Sequence, residues 1–320
     1  MANTKLADVI VPEVYSPYVL QKSVELCNFI KSGIATGDGE RIAERLAAGG
    51  QTVNLPMWVN SRTPDEVPVE DADATINKIT ADKDIAVRHI RNISYGSNDY
   101  ARLLSGDDPM KAIGDKNALD WAFALQNVAI NSLKGLFTAS TGALKDSVLD
   151  ISGGTGAAAV ISYDSLVDAL YLLGDHAENV SALAMHSAVF AKLTKLRLLD
   201  NPTPIEKAYP FRTFLGRSII VDDALVPDAN DNYPIYLFGQ GAFAFNELPG
   251  LAEVEIDRNK KSGNDYLITR RTFTMHPRGV KWVGSAAGLA PTNAELATAA
   301  NWSLVDNRKN VAIAELIAKV

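Results

Sequence analysis

Residues 62–74 read RTPDEVPVEDADA, an acidic stretch with two prolines. It separates two strand-like runs, GGQTVNLPMWVN at residues 49–60 and TINKITADKDIAVRHI at residues 75–90. The acidic stretch offers almost no apolar surface that could form a core of its own. This order predicts a long two-stranded ribbon with a charged tip, and the question is what such a tip contacts.

The alternation of residues in both runs is typical of strands. Apolar side chains recur at Val53, Leu55 and Met57, and a similar alternation runs from Ile85 to His89. About 25 residues lie between these two alternating patterns, whereas an ordinary hairpin connection has roughly two to five. We therefore expect the segment to leave its own domain and to pack elsewhere.

The composition is that of a folded protein. The chain has 320 residues, of which 47% are hydrophobic and 22% charged, which suits one large domain or two or three smaller, interleaved ones. The formal net charge of −7 argues against an electrostatic grip on nucleic acid, because such proteins usually carry a basic stripe. The charge is compatible with a protein that lies near nucleic acid without binding it tightly.

The single cysteine and the N-terminus indicate a reducing compartment. Cys27 cannot form an intrachain disulfide, and the first 15 residues have no leader pattern. No apolar run reaches the roughly 18 residues of a membrane span. Cys27 lies in a segment predicted to be a helix from Ser16 to Gly33, where we expect it to be a buried apolar residue.

The most regular helical pattern spans residues 108–137. Asp108 can cap this helix and Pro109 suits its first position. The pattern covers about 28 residues, which corresponds to a length of about 42 Å. Seven residues return at three- and four-residue steps: Met110, Ile113, Trp121, Leu125, Val128, Ser132 and Leu136.

After a segment rich in Gly and Ala near residues 153–159, the sequence predicts a mixture of helices and strands. Residues 151–245 alternate short helices and strands, and long strands follow from about 250 to 284. KKSGN at residues 260–264 is typical of a hairpin turn. Thr292 and Glu295 form a predicted capping box.

No cluster of reactive residues points to an enzyme or a metal site. The Gly-rich turn at 153–159 faintly resembles a dinucleotide fingerprint, but the next helix is expected only near Tyr163. None of the four histidines has a ligand-like spacing, and the acids at 65–73 lack the glycine of a calcium loop. Asp222 and Asp223 are expected to begin a turn, and the basic strand around Arg271 is expected to be ion-paired.

Six short stretches, taken in order, resemble the major capsid proteins of tailed bacteriophages with the Hong Kong 97-type fold. Each stretch is weak by itself, and their order and spacing carry the likeness over nearly the whole chain. They are Gly49–Trp58, Gly106–Gln126, Gly216–Asp223, Tyr236–Glu247, His276–Trp282 and Pro291–Trp302.

The resemblance implies an α+β fold with the named parts of that family. These are an N-terminal arm with a helix at 1–47, an extended hairpin (the E-loop) at 48–86, a peripheral (P) domain at 87–150 with its long spine helix at about 108–137, a mixed α/β axial (A) domain at 151–245, a return to long antiparallel P-domain strands at 246–290 and a C-terminal segment at 291–320.

The resemblance also implies a function without catalysis, metal or cofactor. The chain is expected to self-assemble as hexamers and pentamers into the icosahedral head of the virion, in the host cytoplasm. The head would enclose double-stranded DNA without binding a specific sequence. No membrane partner is expected. The expected contacts of the ribbon tip with a neighbouring subunit involve Arg62, Asp65, Glu66, Glu70 and Asp73.

Other components and two alternatives stay open at this point. Because a helix is expected near Pro17, we expect no long N-terminal scaffolding segment, and the resemblance then implies a separate scaffolding protein. It also implies a portal. Whether a decoration protein is present stays open. One alternative is an encapsulin-like nanocompartment shell. The other is an α/β enzyme that uses the 153–159 turn or the pair Asp222 and Asp223.

Overall fold

A computed structural model gives the arrangement of the chain. It describes residues 27–37, 50–58, 65–67, 73, 76, 81–98, 109–138, 141–196, 198, 213–248, 253–305 and 307–320.

The helices in these ranges are α1 (Asn28–Lys31), α2 (Pro109–Leu136), α3 (Tyr163–Tyr171), α4 (Ser187–Lys195) and α5 (Asn293–Leu296). The strands are β1 (Ala35–Thr36), β2 (Thr52–Trp58), β3 (Ala81–Val87), β4 (His89–Asn98), β5 (Val148–Asp150), β6 (Val180–Met185), β7 (Thr213–Phe214), β8 (Arg217–Val221), β9 (Tyr233–Gly239), β10 (Phe243–Leu248), β11 (Val254–Asn259), β12 (Asn264–Pro277), β13 (Val280–Trp282), β14 (Trp302–Leu304) and β15 (Ile313–Ala318).

The long helix α2 confirms the helical pattern of the sequence almost residue for residue. It has 28 residues, and the periodic positions Trp121, Leu125 and Leu136 are completely buried. Ser132, the polar member of that stripe, is buried as well and donates its hydroxyl to Val128 O at 2.9 Å. A polar residue is thus tolerated on the core face because its hydroxyl is satisfied within the helix.

Strand β12 organises the first sheet. Its 14 residues pair antiparallel with β4 on one side and with β11 and β10 on the other, and β1 continues the sheet beside β10. Helix α2 is tied to this sheet by Trp121, whose Nε1 donates to Thr269 Oγ1 at 3.0 Å. Thr269 in turn donates to Ile93 O at 2.9 Å, so one buried chain of hydrogen bonds joins helix, β12 and β4.

The basic strand is ion-paired, as the sequence predicts. Arg271 on β12 forms a two-pronged pair with Glu247 on β10, and its Nη2 lies 2.7 Å from Glu247 Oε2. Both side chains are largely buried, and the guanidinium lies over the ring of Trp121 at 5.2 Å. Arg270 faces the other way and pairs with Glu255 at 2.6 Å. The charges are therefore distributed over two faces and form no basic stripe.

A second, six-stranded sheet has the order β5-β15-β9-β6-β8-β7 with mixed parallel and antiparallel pairs. One of its faces packs on α3 and α4 through a core that includes Leu166, Leu193 and Leu237. The opposite face contributes Tyr236 and Phe238 to the core that also holds helix α2. The sheet is thus buried on both faces, which fits its apolar central strands.

Strand pairing crosses the segment boundaries that were predicted from the sequence. Strand β10 spans the boundary at 245, and β5 lies just before the one at 151. Strand β15, within the predicted C-terminal segment, pairs with both β5 and β9 and so lies inside the six-stranded sheet. Because these partners are far apart along the chain, local patterns carry no signal for the pairing.

One helix prediction is wrong in the part that can be compared. The sequence predicts a continuous helix from 16 to 33, but Cys27 has an extended backbone (φ −74°, ψ 113°) and only the four residues of α1 are helical. The exit at Gly33 is confirmed, with φ +77°. Cys27 is fully buried as expected, and residues 16–26 lie outside the described residues.

Gly135 lets α2 approach the C-terminal region closely. A Cβ at this position would overlap the carbonyl oxygen of Leu296 and lie 2.8 Å from Trp302 Nε1. The same two groups bond to each other, since Trp302 Nε1 donates to Leu296 O at 2.7 Å. A glycine that looks unfavourable in a helix is therefore required by packing.

We predict that Gly135→Ala destabilises the subunit. Alanine should gain about 1 kcal/mol in helix propensity, but overlap with a backbone oxygen should cost more, by about 1–3 kcal/mol. The denaturant midpoint of the unassembled subunit is the measurement. Gly153→Ala is the control, because no atom lies within 4 Å of the added Cβ. A higher midpoint for Gly135→Ala would contradict this account.

Candidate subunit-interaction surface

The predicted ribbon forms as an antiparallel pair of strands. Strands β2 and β3 pair from Thr52–Val87 at the root to Trp58–Ala81 at the far end. At the root, Val53 and Ala86 are buried against Ala244 of β10. The alternation seen in the sequence thus places one side of the root on the first sheet.

A buried polar contact fastens the root of the ribbon. Asp84 Oδ1 on β3 lies 2.8 Å from His276 Nε2 at the end of β12, and Val280 O lies 2.7 Å from the same nitrogen. Since both partners are acceptors, Nε2 carries the hydrogen that they share. Asp84 and His276 are 6% and 1% exposed, so breaking this contact would leave buried polar groups unsatisfied. Gln51 adds a bond from its Nε2 to Gly288 O at 3.0 Å.

The tip of the ribbon is exposed where the structure describes it. Of the five tip residues predicted for contacts, Asp65, Glu66 and Asp73 are exposed, and Arg62 and Glu70 lie outside the described residues. Neither Asp65 nor Asp73 makes an ion pair within the described ranges. No basic side chain among the described residues thus pairs with these two carboxylates.

Sequence reasoning missed the apolar part of the tip. Val67 is 80% exposed and Ile76 is 96% exposed. Isolated apolar residues among acids and prolines give no periodic signal, so their exposure could be found only from the structure. The described part of the tip thus carries exposed aliphatic side chains as well as acids.

The two places considered for catalysis are structural turns. The Gly-rich turn ends in a short 3-10 helix (Gly156–Ala159), and α3 starts at Tyr163 with Ser162 as its cap. The α-helix therefore begins several residues beyond the glycines, as the spacing predicted, and its N-terminus does not lie at the turn. Asp222 accepts from Ala224 N at 2.9 Å and begins a turn, which confirms the second expectation.

The histidines also have structural partners. His186 caps α4, as expected, and its Nδ1 accepts from Ala188 N at 3.0 Å. His89 lies against Phe273 at 5.3 Å between ring centres, and burial, with smaller contributions from Arg91 and His276, lowers its pKa to about 3. Among the described residues there is no group of three or more His, Cys, Asp or Glu placed to hold a metal ion.

One buried carboxyl has a strongly shifted pKa. Burial raises the pKa of Glu315 on β15 to about 8, although a hydrogen bond with the Tyr236 hydroxyl opposes the shift, and Asp150 raises it further. Glu315 and Tyr236 are directly opposite each other on β15 and β9. A shifted carboxyl can mark an active site, but here it lies inside the six-stranded sheet.

Comparison with known sequences identifies the class of protein. The profile of the family described as "Gp13-like: Major capsid protein 13-like" matches residues 60–312. The major capsid protein of Bacillus phage SPP1 is 39% identical over 322 residues, which cover 98% of each chain. Within the described ranges, no helix has the length and hydropathy needed to cross a membrane.

Solved structures share the fold at lower sequence identity. The structure from Mycobacterium phage Bobi is 11% identical and covers all of both chains with a TM-score of 0.54. The capsid of a native GTA particle is 15% identical, covers 85% of this chain and 86% of that one, and has a TM-score of 0.52. The capsid of Ralstonia phage GP4 is 12% identical, covers 72% and 80%, and has a TM-score of 0.51.

These comparisons define a structural coat protein of a tailed bacteriophage, located in the capsid of the virion. More narrowly, the chain belongs to the major capsid protein 13-like family. The enzyme alternative is therefore wrong, and the phage capsid is favoured over the encapsulin-like shell. The turns and histidines described above are structural parts of a coat protein.

We predict that Glu315 makes the subunit less stable as pH rises. Its pKa is 4.5 unfolded and about 8 folded, so between these values the folded state holds a proton that the unfolded state has lost. The contribution of Glu315 to stability must therefore fall from about pH 4.5 to about pH 8, whereas the lowered pKa of His89 acts in the opposite direction up to about pH 6.5 in both variants. Urea unfolding at pH 5, 6, 7 and 8 should therefore show the free energy of unfolding of the wild type falling relative to that of Glu315→Gln as pH rises.

The control for this measurement is Glu178→Gln, which changes an exposed glutamate. It should reproduce the wild-type slope. Parallel pH profiles for the wild type and Glu315→Gln would show that Glu315 does not ionise with a raised pKa.

Proposed function

We propose that this coat protein has the Hong Kong 97-type organisation. In this assignment residues 1–47 form the N-terminal arm and residues 48–86 the extended loop. Helix α2 is the spine helix of a P domain built on the sheet around β12. The six-stranded sheet is the A domain, to which β15 returns. Support comes from the order of the elements along the chain and from the fold shared with the solved capsids of a GTA particle and of Ralstonia phage GP4.

We infer that the loop contacts a neighbouring subunit, and the exposure of the ribbon tip is the observation that supports this. The root is buried and hydrogen-bonded, whereas Val67 and Ile76 at the tip are almost fully exposed. Burying two such side chains on assembly would contribute about 1.5–3 kcal/mol each. The charged contacts assigned to this surface involve Arg62, Asp65, Glu66, Glu70 and Asp73.

Repetition of this contact would close a shell. A ribbon that meets a different surface on the next subunit makes a heterologous contact, which closes into rings when the rotation allows. We assign these rings to the hexamers and pentamers of an icosahedral head. Each contact can be modest, because many act together in the particle.

The remaining parts of the assignment concern content and assembly. The shell encloses double-stranded DNA, and the net charge of −7 fits a wall that does not bind the DNA tightly. Assembly takes place in the host cytoplasm with a separate scaffolding protein and a portal, and a decoration protein is left open. The contents of purified particles distinguish this proposal from an encapsulin-like shell, which would hold a cargo protein instead of DNA.

Replacing residues 62–74 by Asn-Gly should give a folded, soluble subunit that forms no shells. Residues 59–61 and 75–80, with Asn-Gly between them, are long enough to connect β2 to β3, whereas the acidic part of the tip is lost. Circular dichroism checks the fold, and electron microscopy counts the particles in an expression system where the wild-type chain forms shells. Gly153→Ala is the control and should assemble. Normal shells from the shortened chain would contradict the proposal.

A further inference from the structure

A groove lies between helix α3 and the turn that joins β7 to β8, and we call it the α3 groove. Its volume is about 180 Å³. Val167, Leu170 and Tyr171 line it from α3, and Leu215 and Arg217 line it from the turn and from β8. Among the described residues that line the groove, none belongs to the ribbon.

Arg217 holds the floor of the groove in place with three hydrogen bonds. Its Nε donates to Val180 O at 3.0 Å, its Nη2 to Ala177 O at 3.1 Å and its Nη1 to Leu215 O at 3.2 Å. One guanidinium therefore connects β8 with its turn and with the beginning of β6. A surface that is fixed in this way loses little conformational entropy when it binds a partner.

Exposed apolar side chains border the groove. Tyr163, Val167 and Tyr171 recur at four-residue steps and so lie on one face of α3, where they form an apolar stripe. Tyr171 is 68% exposed and Leu215 is 42% exposed. The ring centre of Tyr163 lies 5.7 Å from that of Phe214, the residue before Leu215. The stripe and the turn thus form one apolar surface, and such surfaces mark sites of interaction.

Leu215 has a backbone conformation that is unfavourable for leucine. Its φ is +49°, and with Gly216 it forms the two-residue loop between the paired residues Phe214 and Arg217. Loops of this kind favour Asn-Gly, because both central residues need a positive φ. Since much of the leucine side chain is exposed, packing within the subunit offsets only part of the strain. Strain at an exposed apolar residue indicates a function outside the subunit.

A row of acids lies beside the apolar stripe. Asp164 and Asp168 each follow a residue of the stripe, about 100° further around the helix, and both are exposed. Glu178 is exposed as well and lines the end of the groove. These three acids make no ion pair within the described ranges, whereas Asp175 lies 3.5 Å from Lys309. The border of the groove therefore carries negative charge that the described chain does not neutralise.

The exposed apolar pair on α2 lacks this combination. Leu119 and Phe123 are exposed one helical turn apart. The acid that follows Leu119 is Asp120, which lies 3.1 Å from Lys116 and accepts a hydrogen bond from the Tyr95 hydroxyl at 2.6 Å. Apolar exposure and unmatched acids thus occur together at α3, whereas the described acid beside the α2 pair already has partners.

We propose that the α3 groove binds a segment of a second protein, different from the coat protein, with an apolar or aromatic anchor between lysine or arginine residues. The anchor would lie between Tyr171 and Leu215, and the basic residues would meet Asp164, Asp168 and Glu178. Complementary charge would orient the segment and speed its association. The inference goes beyond the proposed function and does not depend on the contacts of the ribbon.

Two synthetic peptides of opposite charge test the chemistry of the groove. The probe is a fluorescein-labelled peptide of sequence KKALWAKK, and EEALWAEE is its control. In anisotropy titrations of the unassembled subunit, the acidic peptide should bind about tenfold more weakly than the basic one. Tyr171→Ser should weaken binding of the basic peptide about tenfold, and Asp164→Asn with Asp168→Asn about threefold. Added salt should weaken the binding to the wild type.

Leu215→Asn separates a binding role from a structural one. Asparagine suits the positive φ, so the denaturant midpoint of the subunit should rise. Binding of the basic peptide should nevertheless weaken about fivefold, because the apolar contact is lost. Leu289→Asn, which changes an exposed leucine elsewhere, is the control and should leave peptide binding unchanged. Circular dichroism verifies the fold of each variant.

Maleimide labelling of Tyr171→Cys shows whether the groove stays open in the shell. The natural Cys27 is buried, so the introduced thiol is the one that reacts. We expect shells to form and to be labelled as fast as the free subunit. Loss of shells, or slow labelling within them, would overturn the inference and show that a second copy covers the groove.

The peptide measurements can overturn the inference as well. They do so if the acidic peptide binds as tightly as the basic one, or if Tyr171→Ser or Leu215→Asn binds the basic peptide like the wild type. A lower denaturant midpoint for Leu215→Asn would show that the leucine has a structural role instead. The proposed function is tested separately, because the shortened ribbon is judged by shell formation alone.

Discussion

The account of this molecule depends on a difference between the two ends of the ribbon. The groups at the root have partners within the chain, whereas the described groups at the tip are exposed. At the root, Asp84 and His276 form a buried polar contact and Val53 is covered by the first sheet. At the tip, Val67 and Ile76 face solvent and two carboxylates have no ion pair in the described chain. This contrast between a fixed root and an exposed tip is the basis of the proposal that the tip contacts another subunit of the shell.

The ribbon can have a defined direction only if its root is attached to a rigid part of the subunit. Helix α2, β12 and β4 are joined by the hydrogen bonds of Trp121 and Thr269, and Arg271 connects the same region to β10 through Glu247. Removing one partner of such a buried pair would leave a charge without compensation, which is costly. The network therefore fixes the direction of the ribbon root, because His276 and Arg271 lie on the same strand.

The sequence predicted the elements whose signals are local. Helix α2 followed from a long 3.6-residue period with a proline at its start, and the ribbon followed from a two-residue period on both sides of residues 62–74. The burial of Cys27 and the capping box of Thr292 and Glu295 were also predicted from the sequence. In each case the pattern and the physical cause lie within a few residues of each other.

Features that depend on distant partners could not be predicted from these patterns. Cys27, expected inside a helix, has an extended backbone, and β15 joins a sheet whose other strands come far earlier in the chain. The role of Gly135 depends on Leu296 and Trp302. The ribbon contacts at Arg62, Asp65, Glu66, Glu70 and Asp73 stay a prediction, because a contact between separate molecules leaves no local pattern in one sequence.

Hydrogen–deuterium exchange of residues 62–80, measured in unassembled subunits and in purified shells, tests the central claim most directly. We predict rapid exchange in the free subunit and strong protection in the shell, while the buried strand β9 stays protected in both. Protection depends on stable hydrogen bonding and exclusion of water. Equal protection of residues 62–80 in the two states would contradict the account, because the tip would then be satisfied within its own chain.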